Sequence, residues 1–164
     1  MTEGVLPTQG TKLYMVDALS ASVAAVLKMA CPTGITGGSG AKDQIETTCL
    51  DTEGNKEYRG GLGNTGQMTV PFNFIPTQPS HQLILTALKE SGDVIQWMEC
   101  FSDCNGVAPT LDSNDELVFP PEGTAKRFNA YVSDVAIDAA TNEIVRGTLT
   151  LQVSGNDEWQ FATA

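Results

Sequence analysis

The chain has 164 residues, 41% of them hydrophobic, with 16 Gly, 8 Pro and a formal net charge of −11. This length suits a single domain with a real core, and frequent turn residues are typical of β-rich folds. The net negative charge argues against binding to a nucleic-acid backbone, which needs clustered Lys and Arg. No apolar run approaches the roughly 18 residues that a membrane-spanning helix needs.

The first forty residues predict short strands separated by bends. Residues 1–10 lack an apolar period and predict a flexible arm, whereas residues 12–16 (KLYMV) predict a strand. The alanines of residues 23–31 favour a helix, but the brevity of the stretch and the proline that follows it favour a strand, which is our prediction. Residues 32–40 predict a glycine-rich bend, because the Gly-Lys-Ser/Thr ending of a phosphate loop is absent.

A long polar stretch, about residues 37–66, follows and has no apolar period. It leads into a clear strand signal in which Met68, Val70, Phe72 and Phe74 alternate with polar residues or proline. Loops of this length inside a compact domain are usually functional or disordered. We therefore predict a long loop that reaches a neighbouring copy of the same protein.

One helix and several strands are predicted in the remaining chain. Ser80 is placed to cap the helix, and Gly92 is placed to end it. Residues 94–101 predict a central strand because both of its faces are partly apolar.

Two later stretches, 126–136 and 145–153, show period-two alternation, and residues 158–161 could close the sheet after a turn at 155–157. The predicted fold class is mainly β: one domain over residues 1–164, an antiparallel β-sandwich or half-open barrel with one flanking α-helix.

No residue pattern selects a catalytic, cofactor or metal site. His81 is the one histidine, and no Gly-x-Ser-x-Gly elbow accompanies it, so a packing or solvated histidine is the better interpretation. The four cysteines lack zinc-ligand spacing, and we expect reduced thiols. The acidic loop around Asp112 lacks the ligand order of an EF-hand and predicts a solvated loop. We expect no enzyme and no cofactor.

Five short stretches follow one another along nearly the whole chain. They are LYMV at 13–16, TTCLD at 47–51, FNFIP at 72–76, GD at 92–93 with the tryptophan strand that follows, and a last stretch that begins with AYVSD at 130–134 and ends with LQVSG at 151–155. Their order and spacing resemble the tail tube proteins (major tail proteins) of long-tailed bacteriophages, although the alanine-rich residues 19–30 depart from that pattern. The assembly that this resemblance implies is also similar in plan to that of type VI secretion tube proteins.

The resemblance implies rings of six subunits that stack into a hollow tail tube, through which DNA is ejected into the host without specific binding. It implies a virion protein assembled in the host cytoplasm, with copies of itself, the tape measure protein and tail tip or terminator proteins as partners. The implied stacking-loop contacts are Thr48, Asp51, Tyr58, Arg59 and Leu62. The implied lumen-facing residues are Thr69, Asn73, Thr148, Thr150 and Gln152.

Two other functions remain open from the sequence. One is a β-sandwich ligand-binding or fibre/adhesion module that uses Trp97 and Trp159 as stacking platforms, although both lie in strand patterns typical of a core. The other is a hydrolase with an unrecognised pair of carboxylates, for which no particular pair stands out.

Overall fold

A computed structural model describes residues 4–19 and 22–163. Part of the predicted flexible arm, residues 1–3, lies outside the described residues. The same holds for part of residues 17–22, where the sequence predicts a turn or an irregular link. The strands are β1 (Lys12–Asp17), β2 (Ala25–Lys28), β3 (Thr36–Gly37), β4 (Lys42–Glu46), β5 (Tyr58–Gly63), β6 (Gln67–Asn73), β7 (Ile95–Cys100), β8 (Thr110–Leu111), β9 (Leu117–Val118), β10 (Ala125–Asp138) and β11 (Arg146–Gln160).

The strands build one large antiparallel sheet and two small ribbons. The seven-stranded sheet has the order β2-β1-β7-β10-β11-β6-β3, while β4 pairs with β5 and β8 pairs with β9. The sheet is open at both ends of this order, so the prediction of a mainly β, antiparallel, half-open structure is confirmed.

The main core lies on one face of the large sheet. Alternate residues such as Val70 and Phe72 on β6, and Leu149 and Leu151 on β11, are buried there, as the period-two pattern predicts. The helix packs over this face through Leu83, Ile84 and Leu88. At the β1–β7 end the opposite face is also covered, because Tyr14 and Met98 pack there against Leu117 of the β8–β9 ribbon.

The flanking helix is continuous but not uniform. It runs from α1 (Pro79–Leu83) through a π-helical turn, Ile84–Leu88, to α2 (Lys89–Ser91), and it ends at Gly92 in the left-handed conformation, φ 65°. The predicted cap is wrong. Gln78 occupies the N-cap position without a side-chain bond, and the Ser80 hydroxyl instead accepts a hydrogen bond from the Ala30 N–H at 3.2 Å.

Two further predictions change in detail. The ambiguous second strand is confirmed as β2 but is shorter than predicted, since Cys31 adopts a positive φ of 45°. The predicted turn at 155–157 is wrong: β11 runs through it and pairs again with β10, with a register shift that absorbs the extra residues.

The outer edge of β6 is occupied by the chain itself. The Asn73 N–H donates to the carbonyl of Cys31, the Thr33 N–H donates to the carbonyl of Pro71, and β3 pairs with the start of β6. At the other end of the sheet, β2 pairs with β1 and has no second strand within the described part of the chain. None of the helices described here is long and apolar enough to cross a membrane.

Candidate functional site

The second face of β6 and β11 is polar, and no helix or further sheet among residues 4–19 and 22–163 covers it. Thr69 lies directly opposite Thr150, Gln67 opposite Gln152, and Asn73 opposite Arg146, so these side chains share one face. The five residues predicted to face a lumen all lie there and are half-buried. The structure therefore brings together Thr69, Asn73, Thr148, Thr150 and Gln152.

We call this surface the polar sheet face. It continues onto the last residues of β10, from Asp134 to Asp138. Asp134 lies opposite Thr150, and Asp138 lies opposite Arg146. Between the Asp134–Thr150 pair and the Asp138–Arg146 pair, β10 and β11 thus contribute two carboxylates and one guanidinium to this face. A face of this composition has no cluster of cations that would hold phosphates.

The predicted long loop contains an ordered β-hairpin. Strands β4 and β5 pair with each other and with no strand of the large sheet, and residues 42–60 are exposed except for the half-buried Thr48. The predicted long loop, about residues 37–66, therefore carries two paired strands between residues 42 and 63. We call residues 41–64 the arm.

Three of the predicted stacking residues lie on β5, and two lie in the connection at the far end of the arm. Tyr58 is 51% exposed, Leu62 is 85% exposed, and Arg59 is also exposed. The Thr48 hydroxyl accepts from the Glu57 N–H at 3.0 Å and donates to the Glu57 carbonyl, so it closes the connection internally. Asp51 is exposed within that connection.

Glycine explains how the arm stays thin. A Cβ at Gly61 would lie 3.1 Å from the end of the Ile45 side chain, so the missing side chain leaves room for Ile45 on the neighbouring strand. The arm has little alternation of apolar and polar residues because it buries no face, and the sequence pattern could not reveal it.

Sequence reasoning missed an apolar surface at the β10–β11 turn. Ile137, Ile144 and Val145 are exposed by 40%, 57% and 38% at the end of the long hairpin. The exposed apolar residues on both sides of a turn could have served as a signal.

Trp97 is fully buried and donates its Nε1–H to the Ala130 carbonyl at 3.2 Å. The expectation of a core position is wrong for Trp159, which is 44% exposed. Its ring stacks between Phe101 and Phe161, with centroids 6.0 and 5.8 Å away. Lys126, which is buried beside it, lies 5.5 Å from the Trp159 ring centroid.

His81 is a packing histidine, one of the two interpretations that the sequence allowed. Its imidazole is fully buried, its Nδ1 lies 3.0 Å from the Ile75 N–H, and its Nε2 lies 2.7 Å from the Ala30 carbonyl oxygen. Asp112 likewise serves local structure, because its Oδ1 accepts the N–H groups of Asn114 and Glu116.

Comparison with known proteins places these surfaces in context. Residues 4–163 match a family described as "Phage tail tube, TTP, lambda-like". "Structural protein 3" of Pseudomonas phage PAJU2 is 35% identical over 155 residues, which cover 92% of this chain and 91% of the relative.

Solved structures share the fold at low sequence identity. The SPP1 tail tube protein has a TM-score of 0.62 and 13% identity, covering 98% of this chain and 81% of that one. A baseplate protein of the anti-feeding prophage has a TM-score of 0.66 and 11% identity, with both chains covered completely. The sheet with its flanking helix is therefore similar to the folds in these assemblies.

Proposed function

Because the chain belongs to the lambda-like phage tail tube family, the structural proteins that build the tube of the virion tail, we propose that its copies form rings of six stacked into a hollow conduit for DNA ejection. The observation that carries the proposal is the polar sheet face, which is half-buried along β6 and β11. Between the described pairs at Thr150 and Arg146 it carries two carboxylates and one guanidinium but no cluster of cations. Six-fold symmetry appears in the descriptions of two structural neighbours, the anti-feeding prophage baseplate and the gene transfer agent tail.

Ring closure follows from the edges of the sheet. An open edge strand exposes unpaired backbone N–H and C=O groups, and closing sheets into a barrel removes such edges. Strand β2 offers this edge in each copy, while residues 31–38 form the outermost chain at the opposite side. We infer that neighbouring copies meet edge to edge, with the polar sheet face turned towards the lumen.

The lumen would then be lined by Thr69, Asn73, Thr148, Thr150 and Gln152. The hydroxyl and amide groups of these side chains bind water but carry no charge. Each whole chain adds a net charge of −11 to the ring. Phosphates are repelled by acidic walls and bind to clustered Lys and Arg. DNA therefore passes without specific binding, and the role of the protein is structural, with no catalytic step.

The arm is proposed to hold successive rings together, with Thr48, Asp51, Tyr58, Arg59 and Leu62 on or beside the contact. Its exposed apolar side chains support this role, since such surfaces mark interfaces. Further partners are proposed at the ends of the tube: a tape measure protein and tail tip or terminator proteins. Assembly would take place in the host cytoplasm before the tail joins the virion.

Negative-stain electron microscopy of the concentrated protein tests the proposal. We expect hollow tubes of uniform width with a stain-filled bore. A protein that stays monomeric at all concentrations, or one that forms solid fibres, would contradict it. The β-sandwich binding module predicts a stable monomer with a ligand seated at the Trp159 stack, so the same experiment separates the two functions.

A further inference from the structure

A cleft of about 600 Å³ lies at the end of β7, on the side of the sheet that carries the main core. Residues 6–11 and 32–36 form its walls, and Glu99 and Phe101 complete the lining. Glu99 lies two residues after the buried Trp97, so the two side chains share the core face. Sites for small ligands commonly have volumes of about 300–1,000 Å³, so the cleft is large enough for one.

The Glu99 side chain is half-buried, and its carboxylate has no direct partner. Within residues 4–19 and 22–163 it accepts no hydrogen bond and makes no ion pair. Lys126 lies opposite it on β10, but the Lys126 ammonium is paired with Asp157 at 3.7 Å. Burial raises the pKa of Glu99, although Lys126 acts in the opposite direction. A second positive group in the cleft would favour the ionised form.

The rest of the lining suits an organic cation better than a metal ion. Phe101 lies beside the carboxylate, and Pro7, Pro32 and Ile35 add apolar surface for an alkyl chain. An ammonium group is also attracted to the face of an aromatic ring. Calcium and magnesium need several oxygen ligands, whereas Glu99 is the one carboxylate among the described lining residues.

One wall of the cleft is held loosely. Within the described part of the chain, residues 5–10 make one hydrogen bond, from the Thr11 N–H to the Thr8 carbonyl at 3.2 Å. The neighbouring Ser102 hydroxyl is buried and has no hydrogen-bond partner there, and a Cβ at Gly10 would lie 3.5 Å from the Ser102 Cβ. A segment with so few bonds moves at little cost, so a ligand can enter without disturbing the sheet.

We propose that this cleft, the Glu99 cleft, binds small aliphatic amines. The Glu99 carboxylate accepts hydrogen bonds from the ammonium group, and the alkyl chain lies against Phe101, Pro7 and Pro32. Hydrogen bonds between charged groups are the strong ones, and partial burial reduces their screening by water. The site lies within one chain, so it goes beyond the proposed tube and does not depend on it.

Saturation-transfer difference NMR with 1,4-diaminobutane tests the site, with 1,4-butanediol as an uncharged probe of the same length. At about 0.15 M salt, which screens exposed charges, the diamine should bind and the diol should not. Glu99→Gln should weaken diamine binding about tenfold, because a charge-assisted hydrogen bond is lost. Glu122→Gln removes the same charge at an exposed position and should change the affinity less than about twofold.

A second variant tests the aromatic part of the site. Phe101→Leu keeps an apolar side chain but removes the ring, and it should weaken diamine binding about twofold to fivefold. Phe161→Leu is the matched control, since Phe161 stacks on the same Trp159 ring but is not among the residues that line the cleft. Circular dichroism checks that each variant is folded.

The outcomes separate this site from the tube. Equal binding of diamine and diol, equal diamine affinity in Glu99→Gln and the unmodified protein, or an equal loss in Glu122→Gln would overturn the site. Tubes that form from a protein without diamine binding would overturn the site and leave the proposed function intact. Diamine binding by a protein that forms no tubes would support the site and contradict the proposed function.

Discussion

His81 joins two chain segments that are far apart in sequence. Its Nδ1 lies 3.0 Å from the Ile75 N–H nitrogen and 3.2 Å from the Ile75 carbonyl oxygen, and its Nε2 lies 2.7 Å from the Ala30 carbonyl oxygen. The ring also lies 4.7 Å from the Phe72 ring, between the helix and the exit of β6. Both ring nitrogens are thus used in holding the residues after β2 and β6 beneath the helix.

The first prediction follows from this arrangement. His81→Ala should lower the free energy of unfolding by about 2–4 kcal/mol, because it leaves a cavity and two backbone groups without partners. Urea denaturation followed by the fluorescence of the buried Trp97 measures the change. Lys89→Ala, at an exposed position of the same helix, is the control and should stay within about 0.5 kcal/mol of the unmodified protein. Equal stability of the two variants would contradict the role of His81.

A second prediction concerns the close approach of β11 to β6. A Cβ at Gly147 would lie within 2.3 Å of the Phe72 ring, which is buried and cannot move away cheaply. Gly147→Ala should therefore destabilise the protein by about 1–3 kcal/mol. Gly60→Ala in the arm is the matched control, since its Cβ would lie 3.6 Å from Lys42, an ordinary contact. Thermal denaturation compares the two variants, and a smaller loss at Gly147 than at Gly60 would be inconsistent with the packing.

Thiol reactivity gives a third prediction. Burial, reinforced by the neighbouring Cys104, raises the pKa of Cys100 to about 12. Iodoacetamide at mildly alkaline pH should modify the exposed Cys31 and Cys49 and spare Cys100 until the protein is denatured. Mass spectrometry of peptides from native and denatured samples checks this. Rapid native alkylation of Cys100 would show that the β7 environment opens readily.

The fourth prediction is a pH dependence at Glu99. Burial raises the pKa of its carboxyl group above the ordinary 4.5, with Lys126 acting in the opposite direction. Above the ordinary pKa the unfolded chain releases this proton more readily than the folded protein, so the contribution of Glu99 to stability falls as pH rises through that range.

Glu99→Gln removes the ionisation. The stability of this variant relative to the unmodified protein should therefore improve as pH rises from about 4 to about 7. Denaturation midpoints at several pH values measure the trend, and Glu122→Gln, at an exposed carboxylate, should show no such trend. A flat difference for Glu99→Gln would mean that Lys126 compensates fully for burial.

A fifth prediction addresses the proposed lumen. Lys in place of both Thr69 and Thr150 puts two cations side by side on the polar sheet face, without touching the core. If that face lines the bore, virions with this change should eject DNA more slowly, and the delay should shrink at higher salt as phosphate contacts weaken. Gln82→Lys on the exposed side of the helix is the control. If correctly assembled virions with both changes ejected DNA at the unmodified rate, the polar sheet face would not line the bore.

The sequence predicted those parts of the fold in which one strand face is buried. The alternation around Phe72 and Leu149 marks β6 and β11 because water on one side and core on the other impose a period of two. The arm escaped prediction because it has water on both faces.

Long-range bonds also escaped prediction. The Ser80 hydroxyl looks like a helix cap in sequence, yet its partner is Ala30, fifty residues away. Trp159 has the strand spacing of a core residue. It lies near the end of β11, however, where its half-exposed ring stacks with Phe101 and Phe161. The lumen candidates could be grouped by periodicity, whereas the exposed apolar side chains at the β10–β11 turn could be grouped only from the geometry of the hairpin.

The short free edge at β2 has a kinetic consequence. Four residues provide only a few backbone hydrogen bonds, each worth about 0.5–1.5 kcal/mol net. If copies meet at this edge as proposed, two molecules joined there alone should separate quickly. A growing end that makes several contacts at once should retain the molecules that bind to it. Polymerisation should accordingly show a lag that preformed ends abolish, so that growth starts from a seed and not wherever two molecules collide.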